Sequence, residues 1–194
     1  MKKLLFIILA LSASSAFAQT NLTAIQYSIG FGTGDLGDYI GKTSFRGFAI
    51  DYRKLVQPNV GVGVDIGWNV FYHGRPDDTY ELGNLSYSGK QYRYNNQFPI
   101  LVAADYYFQP GEKVNPFAGF GMGIMFSNRE TDMGVYAFEQ DAVNFTIRPE
   151  IGILYELNSE LSFKVSSKYY YGFEAGDLPA QGYFTLNLGF VITN

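Results

Sequence analysis

The 194 residues carry 14 Lys and Arg against 18 Asp and Glu, a formal charge of −4, and so lack the clustered basic surface that a nucleic-acid partner calls for. There is no cysteine, which excludes a disulfide framework and thiolate-held zinc or haem. Aromatics reach 18 %, with 17 Phe and 16 Tyr against one Trp, a share foreign to disordered chains.

Residues 1–18, MKKLLFIILALSASSAFA, read as a secretory signal peptide. Lys2 and Lys3 precede an apolar run from Leu4 to Leu11, and Ala16-Phe17-Ala18 offers a small-x-small cleavage site. That run falls short of the roughly 20 residues a membrane-spanning helix needs. The remainder, 19–194, is expected to form one domain of 176 residues with a charge of −6.

Eight segments of period two follow, the signature of an antiparallel all-β domain. In 22–32, Ile25, Tyr27, Ile29 and Phe31 oppose Ala24, Gln26, Ser28 and Gly30. In 45–54, Phe48, Ile50 and Tyr52 oppose Gly47, Ala49, Asp51 and Arg53. The stretch 60–70, VGVGVDIGWNV, sets Val62, Val64, Ile66 and Trp68 against Gly61, Gly63, Asp65 and Gly67. In 91–108, Ile100 and Val102 share a face opposite Arg93 and Asp105, and in 115–127 Phe120 and Ile124 oppose Gly119, Gly121 and Gly123. The sixth segment, 142–157, sets Phe145 and Ile151 against Arg148, Glu150 and Glu156. The seventh, 161–173, sets Val165 against Lys164 and Lys168, and the eighth, 182–193, sets Leu186 and Leu188 against Thr185 and Asn187. Pro99 and Pro149 fall inside runs and predict a bulge at each, because proline cannot donate to a ladder. Connections alternate: short near 57–59, 109–112 and 158–160, longer at 33–43, 74–90, 128–141 and 174–181.

Which face is outside decides the fold. In a soluble barrel the oily face points inward. Here that would crowd the interior with aromatics and leave a glycine-, serine- and threonine-rich exterior with few lysines to oppose aggregation. Reversed, small polar residues fill the narrow interior of eight strands, and an apolar exterior is stable in lipid, where a closed barrel pairs every backbone group. The inward set then contains Asp51, Arg53, Asp65, Arg93, Asp105, Arg148, Glu150, Glu156, Lys164 and Lys168, five basic and five acidic, a neutral sum suited to an enclosed charge network. The lipid-facing set contains Val62, Val64, Ile66, Trp68, Ile100, Phe120, Ile124, Phe145, Ile151, Val165, Leu186 and Leu188. Aromatics gather toward strand ends, Tyr72, Tyr92 and Phe126 at one and Tyr52, Tyr106 and Tyr155 at the other, as in interfacial girdles. The expected fold is an eight-stranded antiparallel up-and-down transmembrane β-barrel.

With this pattern, and on segments such as NPFAGFGMGIMF (115–126), RPEIGILYEL (148–157) and YFTLNLGFVIT (183–193), the chain resembles the small outer-membrane β-barrel proteins of the OmpA/OmpX type, the porin-like "outer membrane protein beta-barrel domain" family of Gram-negative bacteria. The resemblance implies residence in the bacterial outer membrane, periplasmic short turns and four longer extracellular loops. It further implies outer-membrane lipids as the surroundings, with periplasmic chaperones and the barrel-assembly machinery as partners during biogenesis. Family members often end on an aromatic that this machinery reads; here Phe190 lies four residues before Asn194.

Other motifs carry less. Gly32-x-Gly34-x-x-Gly37 matches a dinucleotide fingerprint formally, but no following helix is expected, so it reads as a surface loop. His73, the one histidine, heads a loop without a nearby serine or second histidine, so neither a catalytic triad nor a metal site is assigned. No cofactor is expected. The expected role is structural and surface-interacting, through the outer loops of a barrel with a filled polar lumen. The alternatives are a narrow channel for ions or small solutes and a secreted lipocalin-like carrier. No enzymatic activity is expected.

Overall fold

The computed structural model describes residues 20–82, 85–134 and 136–194, so the expected signal segment 1–18 lies outside the described residues. Eight strands run in sequence: β1 (Asn21–Thr33), β2 (Ser44–Gln57), β3 (Val60–Leu82), β4 (Leu85–Tyr107), β5 (Val114–Asp132), β6 (Ala137–Asn158), β7 (Leu161–Gly172) and β8 (Gln181–Thr193). A short helix, α1 (Gly34–Ile40), joins β1 to β2. Each strand pairs with the next, and β8 returns antiparallel to β1 from Leu22↔Thr193 to Thr33↔Gly182, closing the barrel. Closure leaves no sheet edge around the barrel itself, which lets a sheet exist in hydrocarbon without orphaned N–H and C=O groups.

Four expectations require correction. First, neither proline forms a bulge. Pro99 pairs in register with Met125, and Pro149 with Phe120. The partner ladders on the other side merely lack rungs there, resuming in the same register from Ile66↔Ile100 to Asn69↔Gln97 and from Ile147↔Tyr171 to Glu150↔Lys168. Room for the first ring comes from Gly67, where a Cβ would stand 3.2 Å from Pro99 Cγ. Second, the segments 74–90 and 128–141 are not open loops. They are largely strand, carried past the barrel by pairs such as Thr79↔Ser88 and Asn128↔Asp141. Cross-strand hydroxyls support the first hairpin, with Thr79 Oγ1 and Ser88 Oγ 2.9 Å apart.

Third, the 33–43 segment contains α1. Leu36 and Ile40, one turn apart, are both buried, and Gly41 ends the helix at φ 63° with its N–H bonded to Gly37 O at 2.6 Å. Of the glycines in the formal fingerprint, Gly32 and Gly37 serve close packing of α1 on β1, while Gly34 takes a φ of 55° in open space. A Cβ on Gly37 would meet Gly32 O at 2.8 Å.

Fourth, the interior is not reserved for small polar residues. An apolar cluster at the short-turn end holds Ala24, Tyr107, Phe117, Leu154 and Val191. A second, toward the long-loop end and covered by α1, holds Leu36, Ile40, Phe71, Leu101, Met125, Tyr170 and Tyr183. Glycines on facing strands make this possible. A Cβ on Gly152 would lie 2.6 Å from Phe117 Cε1, one on Gly172 2.6 Å from Met125 Cε, and one on Gly30 3.0 Å from Phe71 Cζ. The inward glycines therefore create volume that large side chains from other strands fill in a narrow cylinder.

Candidate functional site

Between the two apolar clusters lies a layer of charge. Asp51, Arg53, Asp65, Asp105, Arg148, Glu150, Lys164 and Lys168 are all buried there, four acidic and four basic. They form one unbranched chain of alternating sign. Asp105 meets Arg53 Nε at 2.7 Å, Arg53 Nη1 meets Asp65 at 2.5 Å, and Arg148 bridges Asp65 and Glu150. Lys164 then joins Glu150 at 3.0 Å to Asp51 at 2.7 Å, and Lys168 ends the chain on Asp51 at 2.7 Å. Asp65 Oδ1 and Glu150 Oε1 make charge contacts without hydrogen-bond alignment. Gln26 of β1 adds a neutral donor, Nε2 to Asp51 Oδ2 at 2.6 Å.

The geometry follows from strand parity. An alternating strand places every second residue inward, so Asp51 and Arg53, or Lys164 and Lys168, stack at successive heights on one wall. Glycine opposite a charge provides the space: a Cβ on Gly119 would fall 2.1 Å from Asp105 Oδ1. A buried layer tolerates these ions only because each faces an opposite sign.

Two of the ten expected members stand outside this chain. Arg93 also points inward, but one apolar layer further out, where its Nη1 donates to Tyr39 O at 2.9 Å and its Nε to Gln91 Oε1 at 2.8 Å. Glu156 is half-buried at the short-turn rim, where its backbone N–H donates to Lys113 O at 2.8 Å. Both were placed by face alone, and parity carries no information on height. An ion pair absent from the sequence reading joins Arg129 of β5 to Asp35 of α1. Leu36 and Ile40 share one face of α1, but a single i, i+4 pair is too short a period to mark a helix, and nothing local joins Asp35 to Arg129, 94 positions away.

The outer surface is the reverse of a soluble protein's. Val62, Val64, Ile66, Trp68, Ile100, Phe120, Ile124, Phe145, Ile151, Leu186 and Leu188 are exposed, Ile151 at 66 %, and Val165 is half-exposed. Aromatic pairs gather toward its two ends, Tyr72 with Tyr94 at 5.0 Å and Phe145 with Phe173 at 5.8 Å at one, Tyr106 with Phe108 at 5.1 Å at the other. His73 lies on β3 opposite Arg93. Among the described residues no group of three or more His, Asp or Glu is arranged to hold a metal.

The family model described as "Outer membrane protein beta-barrel domain" matches residues 4–191. Among solved structures, the chain is similar to Neisserial surface protein A, with TM-score 0.54 and 12 % identity over 91 % of this chain and 99 % of that one. It is similar to the N-terminal β-barrel domain of Pseudomonas aeruginosa OprF, with TM-score 0.52 and 12 % identity over 91 % and 97 % of the two chains. It is similar as well to the outer membrane protein OprG from Pseudomonas aeruginosa, with TM-score 0.52 and 15 % identity over 91 % and 95 %. At these identities the likeness is one of fold. Comparison with curated proteins found no match.

Proposed function

We propose, for a chain that belongs to the outer membrane protein beta-barrel domain family, a structural and surface-interaction role: a plugged barrel that presents its long hairpins outside the cell. The protein is a bacterial outer-membrane β-barrel. On this reading the exposed apolar belt is the lipid contact, and the short turns at 58–59, 108–113 and 159–160 face the periplasm. Periplasmic chaperones and the barrel-assembly machinery deliver and insert it. The role needs no catalytic residue, cofactor or metal.

The observation that carries this reading is the obstruction of the lumen at three heights. The lower apolar cluster, the ion chain and the upper cluster under α1 succeed one another along the axis. The internal space beside the ion chain, lined by Asp51, Arg53, Asp105, Tyr107, Phe117 and Lys164 among others, measures about 10 Å³, the room of one water. An ion entering it would have to displace paired charges at a cost of several kcal/mol per ion. Purified protein in planar bilayers is expected to give no steady single-channel openings. Regular, voltage-stable openings of the wild-type protein would overturn this reading in favour of a narrow channel.

A further inference from the structure

The outer mouth of the barrel holds an unbalanced set of cations. Arg75 of β3, Arg93 of β4 and Arg129 of β5 line one cleft of about 560 Å³ together with Tyr39 of α1. Two of the guanidiniums stack on the same ring: Arg129 Cζ lies 4.3 Å and Arg93 Cζ 4.8 Å from the Tyr39 centroid. Both Arg75 and Arg129 act repulsively on Arg93. Of the three, only Arg129 has a carboxylate partner among the described residues, Asp35. Glu139, on the cleft rim, is engaged by Asn128 Nδ2 at 2.8 Å. Arg129 Nε is buried without a hydrogen-bond partner, in a side chain only 10 % exposed. Gathering like charges over an apolar plug is unfavourable, and a buried N–H left unmade costs further. A bound oxyanion relieves the crowding of like charge, because guanidinium forks match phosphate, sulfate and carboxylate oxygens in pairs.

The rest of the wall narrows the ligand. Tyr80 and Phe138 give apolar faces, and Gln91, Thr131 and Gln140 give neutral polar groups suited to hydroxyls. The volume lies in the range of small-molecule sites. We propose that this cleft binds an oxyanion-bearing sugar, the oxyanion on Arg75, Arg93 and Arg129 and the sugar between Tyr80 and Phe138. The proposal deepens the surface-interaction reading and rests on it for which end of the barrel faces outward.

The test is calorimetric titration of the whole protein, folded in polyoxyethylene detergent micelles, with glucose 1-phosphate and with glucose. Glucose 1-phosphate is expected to bind, more weakly as salt rises, and glucose to give no saturable heat. Arg75→Gln and Arg93→Gln are each expected to weaken binding by roughly tenfold or more, the value of one charge-assisted hydrogen bond. Arg46→Gln, on the exposed outer face near Tyr72, is expected to leave affinity unchanged. A heat-shifted band on SDS gels certifies that each variant is folded. Absence of glucose 1-phosphate binding, equal binding of glucose, or unchanged affinity in the folded Arg75→Gln/Arg93→Gln double variant would each overturn the proposal. Repeating the titration in vesicles locates the natural source. Loss of sugar-phosphate binding in both phosphatidylglycerol and phosphatidylcholine vesicles, whose headgroups each carry a phosphodiester, assigns the cleft to a lipid-borne phosphate; binding retained in phosphatidylcholine assigns it to a soluble ligand. A conducting protein that binds glucose 1-phosphate would sink only the plugged-barrel reading, and a silent one that does not bind would sink only this proposal.

Discussion

Arg148 is fully buried, with Asp65 and Glu150 on its two terminal nitrogens. Replacing it by Met removes one cation, leaves Asp65 to Arg53 alone and Glu150 to Lys164 alone, and puts one negative charge in excess in a buried layer. Breaking a buried pair in this way costs about 3–5 kcal/mol, so Arg148→Met is expected to lower the urea midpoint of the vesicle-inserted protein by that equivalent. A change below about 1 kcal/mol would mean that water reaches the layer and screens the charges. At this scale the sequence was informative about side but not about neighbours. Asp65 reads as inward from alternation with Val64 and Ile66. That it would meet Arg148, 83 positions away, is set by strand register and barrel shear, which no local pattern records. The large inward residues Phe71, Tyr107 and Phe117 were missed for a related reason. Their room is created by glycines on other strands, such as Gly30, Gly61 and Gly152.

Among the elements, α1 is the least autonomous. Seven residues cannot sustain a helix in water, and Leu36 and Ile40, 0 % and 1 % exposed, hold it against Phe71 and Tyr183. Leu36→Ala is expected to cost about 2–5 kcal/mol in the same urea assay, the range for emptying a buried leucine site. A near-zero effect would mean that α1 is not docked in the mouth. The outer faces of the strands obey a different rule. Ile66→Arg, at the middle of β3's exposed face, is expected to lower stability by about 2–4 kcal/mol, whereas Phe173→Arg near the outer end should cost only about 0–1 kcal/mol, because the penalty for a cation follows depth in the bilayer. Equal costs at both positions would place the apolar belt somewhere other than in hydrocarbon. All eight strands were legible because each repeats its period many times; α1 offers one turn, too short for periodicity to stand out. Pro76 and the polar run after it read as loop, yet β3 continues, since a bulge between Arg75 and Asp78 absorbs the break.

For the whole molecule, closure is the property that alternation and loop rhythm made readable, since the inverse arrangement would give a soluble protein a poor surface, rich in glycine and short of lysine. On unboiled SDS gels the protein is expected to migrate apart from its boiled form, since a closed barrel resists detergent; identical migration would contradict closure. The height of each charge, the two apolar plugs and the arginine-lined mouth were not readable, because they depend on shear around the full circumference. The ion chain has a consequence for assembly. Asp51 on β2 finds Lys164 and Lys168 only on β7, separated from it by 113 and 117 positions. A half-zipped sheet, or one rolled up a step out of alignment, would therefore strand carboxylates and amines with nothing to neutralise them. The chain of buried charges therefore favours the correctly closed cylinder over misaligned forms by the cost of leaving buried ions unpaired.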